Sequence, residues 1–290
     1  RSPSRGLGDV YKRQELGGAK KEKESTTQLF KLFKLFNKKL GTVHVKFGEG
    51  TVVNELDSDL KLKTQELAFE TFRKVGKGMP ITPSALLSLV FLDEPSGALT
   101  WKQISQRAEE VINYCNHMGV PLTESLGSKY GLKSLKLAMD MFINNKKVEI
   151  VKREKLNQVF YIIKEESRVT LLYHKNMIIH HFFVPAVMNS TWFNIFNGNI
   201  KTEKELVKYL LVKRKELKYE FYLPKTSEML EEGLKVIEYA LGRKVEKLSD
   251  VLNFSVDELY QIASKVRRFS TALSQILSLI HISEPTRRTP

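Results

Sequence analysis

A chain of 290 residues, 42% hydrophobic and 28% charged, suits an ordinary globular protein of one large or two smaller domains, with material for a sizeable core. Its one cysteine, Cys115, excludes an internal disulfide and leaves the cytoplasm as the default compartment. A formal charge of +14 favours anionic partners such as phosphorylated substrates, acidic lipid head groups or nucleic acid, and does not choose among them.

Residues 1–14 and 278–290 read as artefactual tails of the kind that sequence assembly leaves behind, and both are set aside from the fold reading. Between them 41 basic residues face 31 acidic ones, so the surplus is +10. Residues 15–25 carry Gly17, Gly18, Lys20, Lys21 and Lys23 without an apolar period and are expected to be a loop. Ser25 or Thr26 then caps a helix over 28–40, whose wide Leu/Phe face stands opposite Lys31, Lys34 and Lys38. Such a helix packs on a sheet with its lysines in water, or it lies in a bilayer interface. After Gly41, Val43, Val45 and Phe47 alternate with polar residues, the period of a half-buried strand.

A helix is expected over 62–78, where Gly76, Gly78 and Pro80 break the pattern and mark a candidate boundary between 15–78 and 79–277. Helices at 83–91, 100–117 and 132–144 follow, then two strand-like runs at 148–151 and 159–163. Three helices and a hairpin are the order of a winged helix. Downstream come a strand at 169–173 and an apolar run at 177–187, too short to cross a membrane and carrying His180 and His181. We expect a buried or membrane-grazing helix there, capped by Asn176 and bent or ended by Pro185. Helices over 201–217, 228–241 and 256–277 complete the chain. Thr202 and Glu205 have capping-box spacing, while Asp250 and Ser255 are alternative starts for the last helix.

The run at 173–188, with a tyrosine, a basic residue and an asparagine ahead of an Ile-x-His segment ending in proline, resembles the C-terminal region of the bacterial-type glycerol-3-phosphate O-acyltransferases. The stretches 15–25, 41–49, 81–87 and 99–103 follow in the order that family shows, so the resemblance covers about 15–277. It implies an α+β, mainly α-helical chain: residues 15–78 end an α/β acyltransferase domain, and 79–277 form a helical C-terminal region with winged-helix-like order. The implied reaction moves an acyl group from acyl-CoA or acyl carrier protein to glycerol 3-phosphate, the first step of phospholipid synthesis. It needs no cofactor, and it takes place peripherally on an anionic membrane surface at the cytoplasmic side of the cell membrane.

The family's catalysis rests on a histidine followed, five positions on, by an aspartate that orients it as general base. Five residues after His117, His174, His180 and His181 stand Leu122, Ile179, Pro185 and Ala186, and after His44 stands Glu49, on the opposite face of a strand. No residue between 15 and 277 is therefore expected to be catalytic. Lys20, Lys21 and Lys23 are the candidates for attracting substrate phosphate, against the plainer account of a solvated cluster beside Glu22 and Glu24. Gly50 stands where the family commonly has a proline.

His174 and His181, seven apart, would share a helix face but lack a third ligand, so no metal site is expected; hydrogen-bonded, partly buried histidines are the alternative. Cys115 reads as core. Two other functions compete. A basic winged helix suggests nucleic-acid binding, with Lys133, Lys136 and Asn144 on the candidate recognition helix and Lys146, Lys147, Lys152, Arg153 and Lys155 in the hairpin, although Asp140, Met139 and Met141 argue against it. A non-catalytic helical scaffold is the other.

Overall fold

The computed structural model describes residues 43–50, 60–128, 130–154, 157–217 and 222–283, with side chains in the last helix described as far as Phe269. The chain divides into two compact units, Arg1–Phe47 and Gly48–Pro290. Of the first, only 43–47 is described. It is unpaired coil in which Val43, Val45 and Phe47 are 72–91% exposed, so the expected half-buried strand is not formed. Alternation makes a strand only when a neighbour takes up its backbone groups, and no described strand does. The loop holding Lys20, Lys21 and Lys23 and the helix expected over 28–40 lie outside the described residues.

The second unit is mainly helical. Helix α1, Leu60–Gly78, leads into α2, Pro83–Leu92. Thr82 caps α2 by accepting from the Ala85 N–H, and Pro83 occupies the first turn, where an N–H has no intrahelical partner. From Ala85 to Leu92 every residue of α2 is buried, which makes it the central rod of the core. Strand β1, Ala98–Thr100, and helix α3, Trp101–Met118, come next. Thr100 and Gln103 form a reciprocal capping box, and Gly119 ends α3 in the left-handed region at φ 69°. Then follow the short α4, Glu124–Gly127, α5, Gly131–Asn144, and the hairpin β2, Val148–Arg153, with β3, Gln158–Ile163.

The three strands are antiparallel in the order β1-β3-β2, with Leu99 opposite Tyr161 and Ile150 opposite the same tyrosine on the other side. This is the winged-helix order expected from the pattern, with a third strand that three residues were too short to announce. Lys136 of α5 turns inward: its Nζ donates to the Tyr161 hydroxyl at 2.9 Å and lies 4.7 Å from the Trp101 ring centroid.

Residues 169–173 are helical, not a strand. They belong to α6, Arg168–Asn176, which packs on α2 through the buried Leu171. Asn176 accordingly ends a helix instead of capping one. A 3-10 turn, Ile179–Phe182, carries the chain into α7, Phe183–Phe196, where Pro185 sits in the first turn. A proline there forfeits no intrahelical hydrogen bond, so it neither bends nor stops the helix. The apolar run is buried in the protein: Ile178, Ile179, Phe182, Phe183, Val184, Ala186, Val187 and Met188 are at most 3% exposed, which removes the membrane-grazing alternative for this stretch.

Helix α8, Glu203–Leu217, begins at the Thr202/Glu205 box, and α9 is Thr226–Leu241. Of the two candidate starts for the last helix, Ser255 is the one used, and Asp250 lies inside a 3-10 turn. Asp250 accepts from the Lys247 N–H in a 3-10 turn, Leu248–Asn253, and Ser255 caps α10, Val256–Ser283, by accepting from the Glu258 N–H. Helices α7 and α10 form the most extensive helix pair, and one apolar cluster runs from α2 through both halves of the unit. No described helix is long and apolar enough to cross a membrane.

Candidate functional site

A cleft of about 600 Å³ opens between the end of α1, the end of α3, the 3-10 turn before α7, the segment Tyr222–Pro224 and the side of α9. Its wall is organised by adjacent histidines. His180 donates from Nε2 to the Gly76 carbonyl and His181 from Nε2 to the Met79 carbonyl, each at 2.8 Å. A carbonyl only accepts, so both rings carry their proton on Nε2. They thereby bond the carbonyl of Gly76 in the last turn of α1, which also accepts from the Met79 N–H, and the carbonyl of Met79 just past the helix. The two rings lie 4.0 Å apart. Burial pushes both histidines down, His181 to about 3, helped by the neighbouring His180, so both are neutral near pH 7.

Ion pairs fasten α1 from its other side. Arg73 bonds to Glu70 on its own helix and to Glu228 on α9, 155 residues away. One turn further along each helix, Lys77 and Lys235 flank Glu232. Burial raises the Glu232 carboxyl, and Lys77 draws it part of the way back. Phe72, Val75, Met118, Val120 and Tyr222 supply the apolar wall, with the Phe72 and Tyr222 rings stacked at 5.2 Å. Tyr114 reaches the cleft from the core and is 1% exposed.

The residues singled out in the sequence fare differently. Asn176, His180 and His181, from the run on which the family resemblance rests, line the cleft together. Both histidines are partly buried and hydrogen-bonded, the alternative weighed against metal ligation. His174 is elsewhere, on α6, with its Nε2 3.5 Å from Lys147 Nζ and its ring beside Phe142. The 3-10 turn separates the two helical segments, so His174 and His181 share no helix face. Among the described residues no three His, Cys, Asp or Glu side chains gather as metal ligands. Cys115 is buried core, and burial pushes its thiol up to about 12.

Arg73, Lys77, Glu232 and Lys235 were not foreseen. Each looks like a solvated charge on an amphipathic helix, and only the meeting of α1 and α9 at the Arg73–Glu228 ion pair brings them to one cleft. A short-range signal existed for none of them.

Fold and cleft together define a mainly helical α+β protein with a winged-helix half and a basic-rimmed, ligand-sized cleft where the end of α3 meets α1, the 3-10 turn before α7 and α9. Residues 13–278 match the family described as glycerol-3-phosphate acyltransferase C-terminal region, and the chain belongs to that family. It is similar to glycerol-3-phosphate acyltransferases of Pseudomonas putida (23% identical, 75% of this chain and 27% of the relative), Pseudomonas fluorescens (24%, 61% and 22%) and Ectopseudomonas mendocina (23%, 67% and 24%). The chain thus spans about a quarter of the length of these curated relatives.

Proposed function

We propose that the chain is the C-terminal region of a glycerol-3-phosphate 1-O-acyltransferase, which transfers an acyl group from acyl-CoA or acyl carrier protein to the first hydroxyl of glycerol 3-phosphate. The observation that carries this reading is the family match over 13–278. The reaction needs a base to deprotonate the glycerol hydroxyl and a carboxylate to orient that base. No histidine from His44 to His181 has an aspartate five positions on, and His180 and His181 spend their Nε2 protons on backbone carbonyls. The catalytic pair therefore belongs to sequence outside these residues, and this region acts as a partner that packs on the acyltransferase domain.

Lys20, Lys21 and Lys23 belong to the proposal as point charges for substrate phosphate. The basic surplus supports seating on the anionic cytoplasmic face of the cell membrane. A nucleic-acid role is favoured by the winged-helix topology and by the basic residues of the hairpin. Its recognition helix would present Leu137, Asp140 and Asn144 with Lys133, while Lys136 is held by Tyr161, a poor set for phosphates and base edges.

The test is enzymatic. The purified 290-residue chain should form no lysophosphatidate from glycerol 3-phosphate and palmitoyl-CoA, and the longer reading frame that contains it should form it. Turnover by the chain alone would overturn the assignment of the catalytic pair; an inactive longer frame would overturn the acyltransferase reading. Flotation with acidic and neutral liposomes tests the membrane seat, which fails if salt-sensitive binding to duplex DNA is found instead.

A further inference from the structure

The cleft beneath α1 has two chemically distinct sides. On one side the rings of Phe72 and Tyr222 and the side chain of Val75 form an apolar edge that remains 37–58% exposed. On the other stand Lys77, Lys235 and Glu232, with the Tyr114 hydroxyl. Neither lysine is in an ion pair among the described residues, whereas Arg73 is held by two glutamates. A volume of about 600 Å³ is that of a small-molecule site.

Tyr114 brings a polar group from the core to the cleft lining. Its ring is fixed in the core, 4.6 Å from Phe269 and edge-on to Tyr239 at 5.3 Å, and the residue is 1% exposed. Its hydroxyl makes no hydrogen bond to a described residue, although the ring's placement delivers it to the cleft lining. The hydroxyl is not sealed from solvent, and a bound group that accepts from it gains a hydrogen bond.

We propose that this cleft binds a single-chain amphiphile with an anionic head. The head sits between the Tyr114 hydroxyl and the Lys77 and Lys235 ammonium groups, and the chain runs out along Phe72, Val75 and Tyr222. An anion gives the phenol an acceptor, and two ammonium groups against the single carboxyl of Glu232, whose charged form burial disfavours, leave that side net positive for it. The acyl chain covers aromatic surface that water now meets. Carboxylate and phosphate heads share this chemistry, and the site is read by binding without turnover, so its test does not depend on the acyltransferase reading.

Equilibrium binding to the 290-residue chain is measured by calorimetry below the micelle concentration, with laurate for the carboxylate, lauroyl lysophosphatidate for the phosphate and monolaurin as the neutral control. At least one anion should bind saturably with one site per chain, and the tighter of the two identifies the head. Monolaurin should bind about tenfold more weakly or not at all. Lys77→Gln with Lys235→Gln should cost the anion about tenfold and leave monolaurin unchanged. Tyr114→Phe should cost several-fold, and Val75→Trp, at an exposed position, should block the chain while leaving the thermal melt in place. Absence of saturable binding overturns the site. Equal binding of monolaurin, or an unaltered anion affinity in the double-lysine variant, overturns the anionic head.

Discussion

His181 donates its Nε2–H to the carbonyl of Met79 at 2.8 Å, a bond between a 3-10 turn and a residue 102 positions earlier. With the parallel bond from His180 to Gly76, it ties the end of α1 to the body of the protein through neutral imidazoles. Their titration should be visible in stability. Both folded-state pKa values lie below the ordinary 6.5, so between 6.5 and the folded value the unfolded chain holds the proton and the folded chain does not. Stability is therefore fully present above pH 6.5 and declines as pH falls through that window, by at most about 1.4 kcal/mol per pH unit for each histidine. Urea unfolding at steps from pH 7 to 4.5 should show a shallower decline in His181→Gln, which keeps a donor for Met79 but cannot titrate. Equal slopes in both proteins would refute the account.

What the sequence made legible was local. Thr100 with Gln103 and Thr202 with Glu205 announce helix starts because both partners lie within one turn, and the structure shows both boxes. The 173–188 run was visible as the most distinctive stretch, yet its interior was misread. Pro185 looks like a breaker until the helix is known to begin at Phe183, and the segment 169–173 has strand-like composition but takes a helix because Leu171 packs on α2. The cleft was illegible for a different reason. Arg73 and Glu228 meet across 155 residues, a relation that no periodicity encodes.

Gly131 opens α5 hard against the preceding helix: a Cβ built there would stand 2.7 Å from the Leu126 carbonyl oxygen. That atom is backbone and cannot rotate away. Gly131→Ala should therefore force α4 and α5 apart and cost about 1–3 kcal/mol by urea unfolding. Gly119 is a useful contrast. A Cβ there meets nothing within 4 Å, but φ is 69°, so Gly119→Ala should cost only about 1 kcal/mol, as strain without collision.

Arg268 of α10 bonds Glu110 of α3 at 2.8 Å and approaches Asp93, just after α2, to 3.6 Å. Its side chain is 20% exposed and that of Asp93 14%, so the latter pair is poorly screened. Burial raises the Asp93 carboxyl even though Arg268, Arg107 and Arg267 pull it down. Removing the arginine strips that carboxylate of its nearest opposing charge. Arg268→Met should cost about 2–3 kcal/mol, Asp93→Asn clearly less, and the double variant less than the sum of the two. Strict additivity in the cycle would show that the three helices are not coupled through this arginine.

Cys115 turns this architecture into a reporter of its own opening. It is the only cysteine, lies fully buried on the inner face of α3 beside Tyr114, and has its thiol pushed up to about 12 by burial. Alkylation requires the thiolate, and at pH 8 that form is scarce in the folded protein by reason of both pKa and access. Iodoacetamide should leave the native chain unmodified over hours and label one thiol per chain in 6 M guanidinium. In intermediate urea the labelling rate should follow the open population, because α3 packs against α2 and α9 and exposes Cys115 only when that core parts. Rapid native labelling at pH 8, counted by intact mass, would show that α3 opens independently of its neighbours and that the core is less cooperative than its packing indicates.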